Sequence, residues 1–147
     1  AGAVGLDPTD VTFSGAEIRD GWIPAPDMLA GGLDEEGAFI WVAGAREAWL
    51  MSALLADRNK PVEVTIALAA VSRHAETARI RLEVAWGELP GKSAMHTLDL
   101  EIPATGQWVE RTATFPPRAG KGVRWMRVTP LEACEILKIR RVGVRLP

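Results

Sequence analysis

The chain has 147 residues, 48% hydrophobic and 24% charged, a balance that excludes extended disorder and fits one domain over residues 1–147 with a core of its own. Seventeen Lys and Arg against nineteen Asp and Glu leave a net charge of -2, so nucleic acid and membrane insertion are set aside as partners. One cysteine, Cys134, and two histidines, His74 and His96, exclude an intramolecular disulfide and a Cys-rich metal site.

Gly, Pro and Asp cluster at residues 1–8, 24–27 and 31–34. Such clusters break helices and strands alike, and residues 1–35 read as a lead-in suited to a docking arm. Between the breaks, 11–13, 16–23 and 38–42 have strand chemistry. Residues 47–57 are rich in Leu, Met and Ala, which favour helix, but Trp49, Met51, Ala53 and Leu55 recur at every second position and the segment reads as strand. From Val62 the period of two is plain. Val62, Val64, Ile66, Leu68 and Ala70 form a branched inner set, and Glu63, Thr65, Ala67, Ala69 and Val71 a smaller outer set.

Further strands follow at 80–86, 98–102 and 108–115, with turns at 72–74, 88–92 and 103–106. Residues 123–129 and 136–146 complete the series. In the last strand the apolar spacing from Ile136 through Ile139, Val142, Val144 and Leu146 runs three, three, two, two, which predicts a β-bulge between Lys138 and Arg141. Eight or nine short strands without βαβ spacing specify an all-β fold, an antiparallel β-sandwich of jelly-roll type. No run approaches the ~20 apolar residues that cross a bilayer, and the amino terminus lacks signal-peptide order. The expectation is a soluble domain, either made in the cytoplasm or trimmed of an export signal.

Two stretches, Gly106-Gln107-Trp108 leading to Thr112-Ala113-Thr114-Phe115, and Ile136-Leu137-Lys138-Ile139-Arg140-Arg141-Val142-Gly143-Val144, resemble the strand-opening Trp and closing strand of galactose-binding-domain-like jelly rolls, which include many carbohydrate-binding modules. The resemblance covers residues 47–147 and implies a sandwich in which Trp108 covers one end. Relatives often place an Asp in the closing strand that helps hold calcium. This chain has Arg140 and Arg141 there, whose charge opposes a divalent ion, so no metal is expected at that place. A pairing with a carboxylate of the first strands, Asp10 or Glu17, is expected instead.

Charge is unevenly spread. Residues 111–147 hold nine basic and two acidic side chains, and residues 1–110 hold eight and seventeen, giving +7 and -9. The simple reading is that first and last strands lie side by side; the sharper one is a basic patch of Arg118, Lys121, Arg124 and Arg127 for an anionic glycan. No nucleophile with base and orienter, no phosphate loop and no metal set is visible, so neither catalysis nor a cofactor is expected. The acidic run Asp34-Glu35-Glu36 reads as a solvated loop.

Six Trp and no Tyr are the most telling feature, because an indole is costly to expose and also stacks well on the apolar face of a pyranose. Trp86 reads as core. Trp22, Trp41, Trp49 and Trp125 divide between core and recognition, with Trp22, beside Pro24 and Pro26, the foremost candidate for exposure. The reading is therefore a non-catalytic module that recognises a glycan or polysaccharide, with Trp22, Trp41 and Trp125 stacking and Arg124, Arg127, Asp99 and Glu101 hydrogen bonding. The sequence leaves the compartment open: a module of a larger protein would be secreted or at the cell surface, a particle component in the virion. The alternative is a structural or receptor-binding spike component of a bacteriophage or virus-like particle, with protein partners in a larger assembly.

Overall fold

The computed structural model describes residues 4–5, 10–25, 29–42, 50–55, 61–86, 95–116, 124–131 and 135–145. In chain order the strands are β1 (Val4–Gly5), β2 (Asp10–Ser14), β3 (Ile23–Pro24), β4 (Leu29–Leu33), β5 (Phe39–Val42), β6 (Leu50–Leu55), β7 (Val62–Val71), β8 (Thr77–Trp86), β9 (Met95–Pro103), β10 (Val109–Phe115), β11 (Arg124–Pro130) and β12 (Ile136–Arg145), with one helix, α1 (Gly15–Gly21). They form two six-stranded sheets. Sheet A runs β1-β6-β11-β8-β9 with β3 also on β6, and sheet B runs β10-β7-β12-β5-β4 with β2 also on β12. Among the described strands only β1 lies parallel to its neighbour.

The period of two works as expected. Val62, Val64, Ile66 and Leu68 of β7 and Leu137, Ile139, Val142 and Val144 of β12 face Ile80, Leu82 and Val84 of β8 and Met126 and Val128 of β11 in one buried core. Each such side chain contributes about 1.5–3 kcal/mol when fully removed from water. Strand β12 pairs with β7 along its length, while its other edge meets β5 over 136–139 and β2 over 141–145. The register shifts between Ile139 and Arg141, which is the predicted bulge. The expected adjacency of first and last strands is met by the second strand: β2 lies beside β12, while β1 pairs with β6 in the other sheet.

The amino-terminal third departs from expectation. Residues 16–23, read as a strand, are mostly α1, because Ser14-Gly15-Ala16-Glu17 is a capping box: Ser14 Oγ accepts from the Glu17 N–H at 3.3 Å, and Glu17 Oε1 accepts from the Ser14 N–H at 3.2 Å. Ile18 and Trp22 are four residues apart and both buried, a spacing that suits one face of a helix as well as one face of a strand. With β2 and β4 in sheet B and β3 in sheet A, the described part of the expected lead-in belongs to the sandwich. The strands number twelve among the described residues, more than expected because short segments near the start also pair. No helix among them is long and apolar enough to cross a membrane.

Candidate functional site

Alternation along the strands gives each sheet an outer face, and the two differ. On sheet A the outer positions of β8, β9 and β11 carry two ion pairs among the described residues. Arg81 Nε and Nη2 donate to Asp99 at 2.8 and 3.2 Å, and Arg127 Nε and Nη2 donate to Glu83 at 3.0 and 2.9 Å. Glu101 sits opposite Arg79 in the β8–β9 ladder. The Arg81 guanidinium holds the Asp99 carboxyl below the usual carboxylate range. Three residues expected to bind ligand, Asp99, Glu101 and Arg127, thus share one face, with the donors of Arg127 turned to the buried Glu83 rather than outward.

Sheet B has a floor of small residues. The outer positions of β7 are Thr65, Ala67 and Ala69; Thr65 lies between Thr112 and Gly143, and the Thr65 and Thr112 hydroxyls are 3.1 Å apart. Ala67 and Ala69 are only 6% and 1% exposed, although they lie on the outside of the sandwich. In the ladder they lie opposite Arg141 and Lys138 of β12. The bulge turns two consecutive arginines outward, both exposed, and each reaches across β7 towards the start of β10. Arg141 pairs with Glu110, and the Arg140 guanidinium carbon stands 4.1 Å from the centre of the Trp108 ring. The expected partners Asp10 and Glu17 are corrected to Glu110 and Glu36, because the bulge directs these side chains away from β2.

The β4–β5 turn closes one end of this face. Asp34 Oδ1 accepts from the N–H groups of Glu36 and Ala38, each at 2.9 Å, and Gly37 takes a φ of 85° to complete the turn. These bonds, led by the one from Ala38, hold the Asp34 carboxyl below its ordinary range. The acidic run is thus partly a turn-forming device. It also sets Asp34 Oδ2 3.9 Å from Lys138 Nζ and Glu36 Oε2 4.0 Å from Arg140 Nη2. Lys138, Arg140 and Arg141 each meet a carboxylate, and Arg145, the fourth base of the closing strand, lies opposite Glu63 in the β7–β12 ladder.

The aromatic residues are distributed otherwise than expected. Trp22, the foremost candidate for exposure, is 5% exposed and packs edge-to-face on Phe13 with centroids 5.5 Å apart. Trp41 is fully buried on β5 between Gly31 and Leu137. Neither presents a ring to ligand, and both indole N–H groups are buried without an acceptor. Burial of a large ring in each case outweighs a penalty of roughly 1–3 kcal/mol for the unmet N–H. Trp125 and Arg124 lie on β11, where Trp125 pairs with Ala85 and Ala53; their side chains, like that of Trp86, and residues Trp49, Arg118, Lys121 and Cys134 lie outside the described residues. Among the described aromatic rings only Trp108 is not buried. The resemblance implies an end cover for Trp108; its spacing with Glu110, two residues on, is the sequence signal for a shared face.

No family model and no curated protein matches the sequence. Solved structures do match. The xylan-binding module CBM22-1 of Xyn10C from Paenibacillus barcinonensis superposes with a TM-score of 0.70 at 13% identity, covering 92% of each chain. The fold is that of the carbohydrate-binding jelly rolls. A second such module, the C-terminal CBM6 of LamC, a marine laminarinase from Zobellia galactanivorans, gives 0.62 at 11% identity over 92% of this chain and 98% of that one. Tailspike protein 4 of bacteriophage CBA120 gives 0.61 at 7% identity, with 95% of this jelly roll lying on 19% of that chain. The resemblance drawn from the 106–115 and 136–144 stretches therefore holds for the fold.

Proposed function

We propose that the protein is a non-catalytic carbohydrate-binding module whose glycan lies on the outer face of sheet B, with Trp108 as its stacking ring. The observation that carries this is the grouping of the one unburied aromatic ring among the described residues with the Arg141–Glu110 pair, beside a small-residue floor. A flat indole takes the apolar face of a sugar ring, and a guanidinium beside a carboxylate offers the donor and acceptor that a hydroxyl uses together. Because Lys138, Arg140 and Arg141 each meet a carboxylate, an uncharged polysaccharide suits the face better than a uronate-rich one. Jelly rolls serve many purposes, so the site rather than the fold bears this argument; the xylan named for the Xyn10C module makes xylan the first glycan to try.

Isothermal titration calorimetry with xylohexaose, laminarihexaose and a uronate-bearing oligosaccharide tests the reading. Binding of an uncharged oligosaccharide that Trp108→Ala abolishes is the expected result. Weakening by Asp99→Ala or Glu101→Ala but not by Trp108→Ala would move the site to sheet A. The tailspike likeness favours a second reading, a part of a phage spike. A stable trimer by light scattering, with no glycan bound, is its signature.

A further inference from the structure

We propose that Arg140 occupies the stacking place on Trp108 in the ligand-free protein, so that a bound sugar ring must displace its guanidinium; this rests on the glycan-binding reading above. The guanidinium carbon lies 4.1 Å from the ring centre, the separation of two flat groups in contact, and leaves no room for a pyranose on the same ring face. The Arg140 side chain is itself 47% exposed, which puts it on the solvent side of a half-buried indole. Its position there follows from the chain. The bulge between Ile139 and Arg141 adds one residue to β12 opposite β7, and that residue is turned outward next to another arginine instead of into the core. Without the bulge only one of the two would share this face.

The two arginines then have opposite effects. Arg140 competes with the sugar for the ring, and Glu36, whose Oε2 is 4.0 Å from Arg140 Nη2, is the carboxylate to which the released guanidinium turns. Arg141 is held by Glu110 rather than by a ring, so it stays in place and offers its remaining N–H donors to sugar hydroxyls. The stack is a cation–π contact at an exposed site, and its loss on binding costs about two- to five-fold in affinity. Arg140 is a specificity-determining residue in this sense. It sets a threshold that only a ligand able to cover the indole fully will cross.

The test compares Arg140→Ala and Arg141→Ala with the unaltered protein. Titration with xylohexaose and laminarihexaose is expected to show about two- to five-fold tighter binding for Arg140→Ala, weaker binding for Arg141→Ala, and a loss for Trp108→Ala. A second readout needs no glycan. The Arg140 Nε–H proton signal should be shifted upfield by the indole in the free protein, return to its ordinary place in Trp108→Ala, and return likewise when the protein is saturated with oligosaccharide. Unchanged or weaker binding by Arg140→Ala, or an upfield Arg140 signal that persists at saturation, overturns the displacement while leaving glycan binding intact. Failure of every variant and the unaltered protein to bind either oligosaccharide overturns both.

Discussion

Replacing Arg127 by Ala is expected to damage the fold and not ligand recognition. Glu83 is the one charged residue buried among those described, 6% exposed, and both its carboxylate oxygens are taken by Arg127. The guanidinium removed, a carboxylate remains on the β8–β11 ladder with its partner gone. Breaking a fully buried pair costs about 3–5 kcal/mol, because the surviving charge keeps its desolvation penalty. The Arg127 side chain is 26% exposed, so water reaches one edge of the pair and the lower end, about 3 kcal/mol, applies. For a domain of this size that lowers Tm by roughly 6–12 °C.

Urea unfolding of the single variants and of the double variant Glu83→Leu/Arg127→Met measures this. The double variant should recover to within about 1 kcal/mol of the unaltered protein, since an apolar pair of similar volume has no charge to strand. A loss below about 0.5 kcal/mol for Arg127→Ala, the range of an ordinary surface change, would refute the reasoning and return Arg127 to the candidates for ligand contact.

Other expectations follow from the same geometry. An added Cβ at Gly15 would stand 2.1 Å from the Gly37 carbonyl oxygen and 2.8 Å from the Phe39 nitrogen; Gly15→Ala is expected to cost about 2–3 kcal/mol in chemical denaturation, whereas Gly21→Ala, with nothing within 4 Å, should be close to neutral. The carboxyls of Asp34, Asp99 and Glu135 are held below their ordinary range, by the Ala38 N–H, the Arg81 side chain and the Arg73 N–H respectively. Their ionised forms favour the folded state, so this stabilisation is complete near neutral pH and drains away as pH falls below about 4 through the folded-state values. The urea midpoint should be level between about pH 6 and 8 and fall towards pH 3, less steeply in Asp34→Asn/Asp99→Asn. An equal slope in that variant would contradict these assignments.

The sandwich was legible because its long strands obey a strict period. In 62–71 a branched residue at every second position leaves one register that buries them, and the irregular spacing after Ile139 marked the bulge before any pairing was known. The helix was not legible by period. Seven residues give two turns, and Ile18 with Trp22, the residue that caps the helix, fits either pattern; the capping box is the decisive local signal. The site was hidden for another reason. Trp108 and Arg140 are 32 positions apart and meet only because β10 and β12 both pair with β7, a register set by the whole sheet. Trp22 and Trp41 looked like ring platforms by residue type, and nothing local in the sequence shows that α1 and β5 turn them inward.

The most direct test is a titration of isotope-labelled protein with xylohexaose, followed by amide chemical shifts. Saturable changes are expected at residues 65–69, 108–112 and 138–143, with the indole N–H of Trp108 among them. Changes grouped instead at residues 79–83, 97–101 and 127–129 would place the ligand on sheet A and contradict the site proposed on sheet B.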